Sequence, residues 1–113
     1  MRTITAVDPR GAKWRLSLPE TRRERMRGLI GASEPERRSA LFIERARSVH
    51  TFGMRFAIAV VLLGADHRVI RVLRVPPRRL VLPRPGVRHV LECAVHTDVR
   101  EGDRLRLGEE ISR

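Results

Sequence analysis

The sequence predicts a mainly β fold, a compact sandwich or barrel of seven or eight short strands with one short α-helix. Two observations lead to this prediction. Apolar runs of strand length recur about every ten residues, with turn residues between them. Only one segment has helical spacing, and it is too short for an α/β fold. With 113 residues the chain has the size of one domain, so we expect residues 1–113 to form a single domain.

The chain opens with a predicted hairpin. Residues 3–7 form its first strand, and the turn at 8–11 contains Pro9 and Gly11, two typical turn residues. In the second strand, residues 13–18, the side chains of Trp14, Leu16 and Leu18 alternate with polar ones and define one apolar face.

A short helix is predicted to begin at about Arg22. Thr21 and Glu24 have the spacing of a capping box, in which each side chain bonds to the other residue's backbone amide. Met26 begins an apolar side, and Gly28 supplies the stop. This helix therefore has about two turns at most.

The remainder of the chain has a β pattern. Gly53 interrupts the longest β-rich run and is predicted to be a bulge or a point of close approach. The predicted elements are strands at 41–43, 49–63, 69–75, 87–92 and 104–107, with a turn at 64–67 and an irregular proline-rich connection near 83–86.

Charge is the unusual bulk property. Lys plus Arg is 24 against 13 acids, a formal net charge of +11, and Lys13 is the only lysine. The arginine-rich composition favours nucleic acid, acidic surfaces or anionic ligands as partners. A GC-rich coding sequence would produce the same bias, and arginines lying over apolar neighbours on a solvated face are the alternative interpretation.

Nucleic-acid binding is one hypothesis that this charge supports. Sequence-specific readout is not expected, because aromatic residues make up only 4% of the chain and few are left to stack on bases. The hypothesis is nonspecific contact with phosphates through an arginine-rich surface, formed by Arg68, Arg71, Arg74, Arg78, Arg79, Arg84 and Arg88.

Several classes of protein are disfavoured. The longest apolar run, residues 56–63, is far shorter than the roughly 20 residues of a membrane-spanning helix. No signal-peptide pattern begins the chain, and a single cysteine makes no internal disulfide, so we expect a cytoplasmic protein. No nucleotide-binding or nucleophile motif is present, so we expect no cofactor and favour a noncatalytic function.

The densest group of polar and apolar side chains lies at residues 50–55. In an extended strand His50, Phe52 and Met54 would share one face, and Thr51, Gly53 and Arg55 the other. The leading hypothesis is a noncatalytic binding module that holds a small polar or anionic ligand, or a protein segment along a sheet edge. Its candidate ligand-binding residues are His50, Thr51, Gly53, Met54, Arg55, Glu24 and Arg27.

A purely structural alternative stays open for the same segment. Phe52 and Met54 would then belong to the core, His50 would bond to a backbone carbonyl, and Arg55 would pair with an acid such as Glu24.

Three potential metal ligands occur at His89, Cys93 and His96. Their spacing would suit one face of a helix, but the segment has a strand pattern in which His96 points away from the other two. We therefore predict no metal site. Cys93 is expected to be a small buried residue rather than a nucleophile.

Several short motifs occur in the order seen in a known family. They are ERMRGLI at 24–30, VHTFGMRF at 49–56, GADHRV at 64–69, VLE at 90–92 and GDR at 102–104. Over about residues 13–108 the chain resembles the Domain of Unknown Function 192 (DUF192) family. The resemblance implies a small β-sandwich of jelly-roll-like character in a bacterial or archaeal protein, and it implies no activity. Members usually have an aspartate where this chain has Ala59, so no carboxylate can act there.

Overall fold

A computed structural model describes residues 1–111 and confirms the mainly β class. This part of the chain contains nine strands and one helix. They are β1 (Arg2–Val7), β2 (Lys13–Leu18), α1 (Arg22–Arg27), β3 (Ser39–Ile43), β4 (Val49–His50), β5 (Ile58–Leu63), β6 (Val69–Val75), β7 (Leu80–Val81), β8 (His89–Ala94) and β9 (Arg106–Glu110). No helix in the described part is long and apolar enough to cross a membrane.

Seven of the strands form one large sheet in the order β6-β5-β8-β3-β2-β1-β9. All neighbours are antiparallel except β2 and β3, and β4 pairs with β7 in a separate two-stranded sheet. An isolated bridge joins Arg68, just before β6, to Arg104, just before β9, while the edge strands β6 and β9 of the described chain do not pair with each other. The sheet is therefore curled but not closed as a barrel, which corrects one of the two predicted architectures.

Apolar side chains cover both faces of the large sheet. The first core contains Trp14, Phe42 and the odd-numbered residues 59–63 of β5. The second core contains the even-numbered residues 58–62 of β5 together with Val81 and Val87. Because β5 is buried on both faces, its sequence is a continuous apolar run rather than an alternating one.

The predicted helix is confirmed in its position and caps. The Thr21 hydroxyl accepts a hydrogen bond from the Glu24 N–H, and the Glu24 carboxylate accepts one from the Thr21 N–H, both at 3.1 Å. Gly28 ends the helix with φ of 56°. The expected apolar side is wrong, because Met26 is exposed and no residue of α1 is buried. Leu29, just after the helix, packs against the second core instead.

The predicted strand at 49–63 is divided. Residues 51–57 form turns between β4 and β5, held by Thr51, whose hydroxyl donates to the Pro76 carbonyl at 2.7 Å. The expected alternation of residues 50–55 on a strand is therefore wrong. Phe52, expected in a core on the structural interpretation, is exposed.

Two later strands begin further along the chain than predicted. Strand β8 starts at His89 rather than 87, and β9 starts at Arg106 rather than 104. The two-residue strand β7 was not predicted, because it depends on its pairing with β4 and not on a local pattern.

Candidate functional site

A cavity of about 260 Å³ lies between the end of α1, the segment at 46–50 and one face of β8. We call it the helix cavity. It is lined by Arg25, Met26, Arg27, Gly28, Ile43, Ala46, Ser48, Val49, His50 and Glu92.

Glu92 is the buried acid of the helix cavity. It sits in β8 between Val60 of β5 and Leu41 of β3, on the same face as the second core, and is only 2% exposed. Burial raises the pKa of Glu92 to about 7, although a hydrogen bond from the backbone N–H of Leu29 opposes the shift. Its Oε1 atom has no hydrogen-bond partner within residues 1–111. An unpaired buried carboxyl oxygen in a residue that lines a cavity is unusual, because burying such a group without a partner is costly.

The backbone of Gly28, which has no side chain, packs against this carboxyl group. A Cβ atom at residue 28 would lie 3.0 Å from Oε1 of Glu92, and the φ of 56° also disfavours a side chain. Glycine thus serves both to end α1 and to leave room beside Glu92.

His50 contributes a second unpaired polar atom. It is half-buried at the end of β4, and its ring lies 5.7 Å from that of Phe52. Its Nδ1 atom is buried and, in the part of the chain described, has no hydrogen-bond partner. The backbone carbonyl that the structural interpretation expected is therefore not bonded to this nitrogen.

Two arginines of α1 give the cavity its positive charge. Arg25 Nη2 donates to the Arg45 carbonyl at 3.3 Å, and Arg27 Nε donates to the Ile30 carbonyl at 3.0 Å. These bonds hold the two side chains to the backbone of Arg45, just after β3, and of Ile30, just after α1. The arrangement combines cations with a buried carboxyl group and an imidazole nitrogen, which suits a ligand that has both an anionic group and a hydrogen-bond donor.

The structure brings only part of the predicted site together. His50 and Arg27 line the helix cavity. Glu24 is in the capping box, Thr51 holds residues 76–79, and Met54 is part of the second core. Gly53 and Arg55 are exposed and lie outside the lining.

Sequence reasoning missed Glu92 as a site residue. The sequence predicts a strand over residues 87–92, which places Glu92 at its end, where a charged side chain is common. In the structure β8 continues to Ala94 and both residues after Glu92 are buried. An acid between the apolar pairs Val90-Leu91 and Cys93-Ala94 is the signal that would have identified it.

The other candidate ligands lie elsewhere. Cys93 is in the first core, and burial raises the pKa of its thiol to about 12, so it is a poor nucleophile. No group of three His, Cys, Asp or Glu side chains able to hold a metal ion occurs within residues 1–111. Ala59, where an aspartate was expected, is also in the first core, on the face opposite Glu92.

The seven arginines of the nucleic-acid hypothesis do not form one surface. In the pairing of β6 with β5, Arg71 lies opposite Leu62 on the face that carries the second core. Arg74 lies opposite Ala59 on the face that carries the first core. Arg68 and Arg71 also have acidic partners, Asp66 at 3.6 Å and Glu101 at 3.8 Å.

Three of the seven arginines do come together. Arg74, Arg79 and Arg84 line a groove of about 390 Å³ beside the outer strand β6. Leu80 and Leu82 are in the same lining and are 59% and 64% exposed. We call this the edge groove.

Two solved structures share the fold. One is a protein from Sinorhizobium meliloti described as a "putative transcription regulator", with a TM-score of 0.78 and 17% identity over 94% of this chain and 92% of that one. The other is a protein of unknown function from Novosphingobium aromaticivorans, with a TM-score of 0.75 and 18% identity over 92% and 83% of the two chains. At these identities the likeness concerns the fold alone.

No curated protein matches the sequence. A family model does match, over residues 4–107, and it is the DUF192 model, whose description is "Uncharacterized ACR". The match covers nearly the whole chain and agrees with the resemblance seen in the motifs. The chain therefore belongs to the DUF192 family.

Proposed function

We propose that the protein is a noncatalytic binding module whose helix cavity holds a small polar ligand with an anionic group. The observation that carries the proposal is the pair of unpartnered buried atoms, Glu92 Oε1 and His50 Nδ1, in residues that line one cavity. Native proteins rarely leave such atoms unpaired unless water, an ion or a ligand satisfies them.

The charges around the cavity define the ligand class. Arg25 and Arg27 suit a carboxylate or another planar anion, since guanidinium groups bind such groups through paired hydrogen bonds. Glu92 and Nδ1 of His50 can each accept a hydrogen bond from an amine. A volume of about 260 Å³ limits the ligand to amino-acid size. A small zwitterion fits these requirements best.

A series of ω-amino carboxylates, from glycine to 6-aminohexanoate, tests the proposal. Because a ligand that binds only the native state stabilises it, we expect one or two chain lengths to raise the Tm. The rise would be roughly 5 °C at ten times the Kd. Acetate has only the carboxylate and methylammonium only the ammonium group, so neither is expected to raise the Tm. A series without any stabilising member would contradict the proposal.

Variants locate the binding in the helix cavity. Glu92→Gln and His50→Ala are expected to remove the rise in Tm, while Glu109→Gln, an exposed substitution of the same chemistry on β9, is expected to leave it unchanged. Equal effects of Glu92→Gln and Glu109→Gln would place the binding elsewhere.

A second candidate function is the binding of an acidic protein segment along the sheet edge. It is favoured by the edge groove, where exposed Leu80 and Leu82 lie with three arginines beside the outer strand β6. An extended peptide can add to such an edge through backbone hydrogen bonds, with alternate side chains in the groove.

This second candidate is tested with a labelled peptide that alternates glutamate and valine. We expect saturable binding by fluorescence anisotropy, weakened by the double change Leu80→Ser with Leu82→Ser. Met26→Ser, which replaces an exposed apolar residue far from β6 in sequence, is the matched control. Binding that only Met26→Ser weakens would exclude the edge groove.

A further inference from the structure

A third concave site lies at one end of the large sheet. It has a volume of about 400 Å³ and forms where the segment after β3, the turn after β5 and the start of β8 meet. We call it the arginine cavity. It is lined by Arg45, Arg47, Ala65, Arg88 and His89.

Like most arginines within residues 1–111, the three of this cavity have no acid at ion-pair distance. Arg10, Arg68 and Arg71 each have a carboxylate within ion-pair distance. Within residues 1–111 no carboxylate lies at such a distance from Arg45, Arg47 or Arg88. Three exposed arginines thus line one concavity without an acidic partner.

The local chain holds part of this arrangement in place. Arg45 has φ of 56°, and its backbone N–H donates to Nδ1 of His89 at 3.0 Å. This bond leaves Nε2 as the protonated nitrogen of a neutral His89. Arg45 and Arg47 line the arginine cavity, whereas Ala46 and Ser48 line the helix cavity, so one segment forms a wall of both.

His89 is surrounded mainly by positive charge. Burial lowers its pKa, and His67, Arg45 and Arg88 lower it further, while Glu44 acts in the opposite direction. Glu44 itself is paired with Arg2 at 3.7 Å. The ring of His67 lies beside that of His89, with centroids 5.3 Å apart and the two planes tilted by 36°. An anion bound among these cations would favour the protonated form of His89.

We propose that the arginine cavity binds a small phosphate-bearing molecule, with its phosphoryl oxygens held by Arg45, Arg47 and Arg88 and with Nε2 of His89 as a further donor. Guanidinium groups bind phosphate oxygens in paired hydrogen bonds, and three of them match the three terminal oxygens of a phosphoryl group. The cavity encloses more space than the phosphoryl group needs and leaves room for the rest of a small ester. This site is separate from the helix cavity and does not depend on the proposed function.

Pyrophosphate is the probe for the first experiment. The protein has four histidines, His50, His67, His89 and His96, whose ring C–H resonances report the sites separately by NMR. We expect pyrophosphate to shift the His67 and His89 resonances in a saturable manner, while sodium chloride of equal ionic strength does not. Sulfate, a dianion that does not titrate between pH 5 and 8, is expected to raise the pKa measured for His89. No saturable shift, or equal shifts of all four histidines, would overturn the proposal.

Two double variants distinguish binding at a specific site from general attraction by the positive charge of the protein. Arg47→Ala with Arg88→Ala is expected to weaken pyrophosphate binding by at least about tenfold, since charge-assisted hydrogen bonds are lost. Arg15→Ala with Arg71→Ala removes the same charge from exposed positions elsewhere, and less than about twofold weakening is expected. Equal weakening by both pairs would show that no specific site exists.

A final comparison identifies the source of the phosphate. A short single-stranded RNA is added under the same conditions as pyrophosphate. Weaker or equal effects of the RNA on His67 and His89 support a small-molecule ligand. Saturation by RNA at a much lower concentration would overturn the assignment in favour of a nucleic acid.

Discussion

At the scale of single residues, Glu92 links stability to pH. Its pKa is raised from 4.5 to about 7 in the folded protein, because the carboxyl group is buried. Between these two values the folded state holds a proton that the unfolded state has released. The free energy of unfolding therefore falls as pH rises through this window, by up to about 3 kcal/mol.

Glu92→Gln is expected to remove this dependence. The variant should match or exceed the wild type in stability at pH 8 and lose its advantage at pH 5, as measured by urea denaturation. Other groups titrate in the same range, His89 with the opposite sign because its pKa is lowered, so the difference between the two proteins is the quantity to compare. A difference that does not change between pH 5 and 8 would show that Glu92 ionises normally.

Asp8 is a buried acid of the opposite kind. Burial raises the pKa of Asp8, but hydrogen bonds from the Trp14 ring and the backbone N–H groups of Ala12 and Arg10 outweigh it, so the pKa is lowered. The bonds measure 3.1, 3.0 and 2.9 Å. A lowered pKa stabilises the fold above the unfolded value near 4, and this stabilisation is lost as pH falls through the folded value.

Asp8→Asn is therefore expected to reduce stability at neutral pH. An amide of the same shape loses the charge-assisted part of these bonds, about 1–3 kcal/mol in the free energy of unfolding at pH 7. Urea denaturation at pH 7 and pH 3 measures the effect, and the deficit should shrink at pH 3. A deficit of the same size at both values would mean that shape rather than charge is responsible.

At the scale of elements, the end of α1 joins the fold to the helix cavity. Gly28→Ala places a Cβ 3.0 Å from Glu92 Oε1 at a φ of 56°, whereas Gly11→Ala, at a φ of 83°, meets no atom within 4 Å. Both variants carry the cost of backbone strain, about 1 kcal/mol. Only Gly28→Ala should also displace Glu92 and abolish ligand-induced stabilisation. Thermal unfolding with and without the best ω-amino carboxylate measures both effects, and equal behaviour of the two variants would contradict the role given to Gly28.

Elements formed by local signals were predictable, and those formed by distant contacts were not. The hairpin β1–β2 and the capping box at Thr21 depend on residues close in sequence, and both appear as expected. The turns at 51–57 depend on Thr51 bonding to the segment at 76–79, which is 25 to 28 residues away. The site shows the same division. His50 and Arg27, two of the predicted site residues, line the helix cavity, whereas the place of Glu92 in its lining depends on the position of β8 between β3 and β5.

At the scale of the whole molecule, the large sheet carries arginines on both of its faces. Adjacent side chains of a strand point to opposite faces, so the arginines of β6 are divided between the two faces of the sheet. Acidic partners of Arg68 and Arg71 reduce the positive charge further. The positive charge of β6 and of the turn before it is thus not gathered on one face of the sheet.

This distribution predicts weak binding to nucleic acid. Only a few phosphates can be contacted at once, so log affinity for labelled single-stranded RNA or duplex DNA should fall with log salt at a slope of about −2 to −3, with binding lost near 150 mM salt. Fluorescence anisotropy over a salt series measures the slope. Arg71→Ala, Arg74→Ala and Arg78→Ala combined should weaken binding no more than three exposed arginine changes on other faces. A slope of about −6 or steeper that persists at physiological salt, and that this triple variant alone removes, would make the arginine surface the functional site.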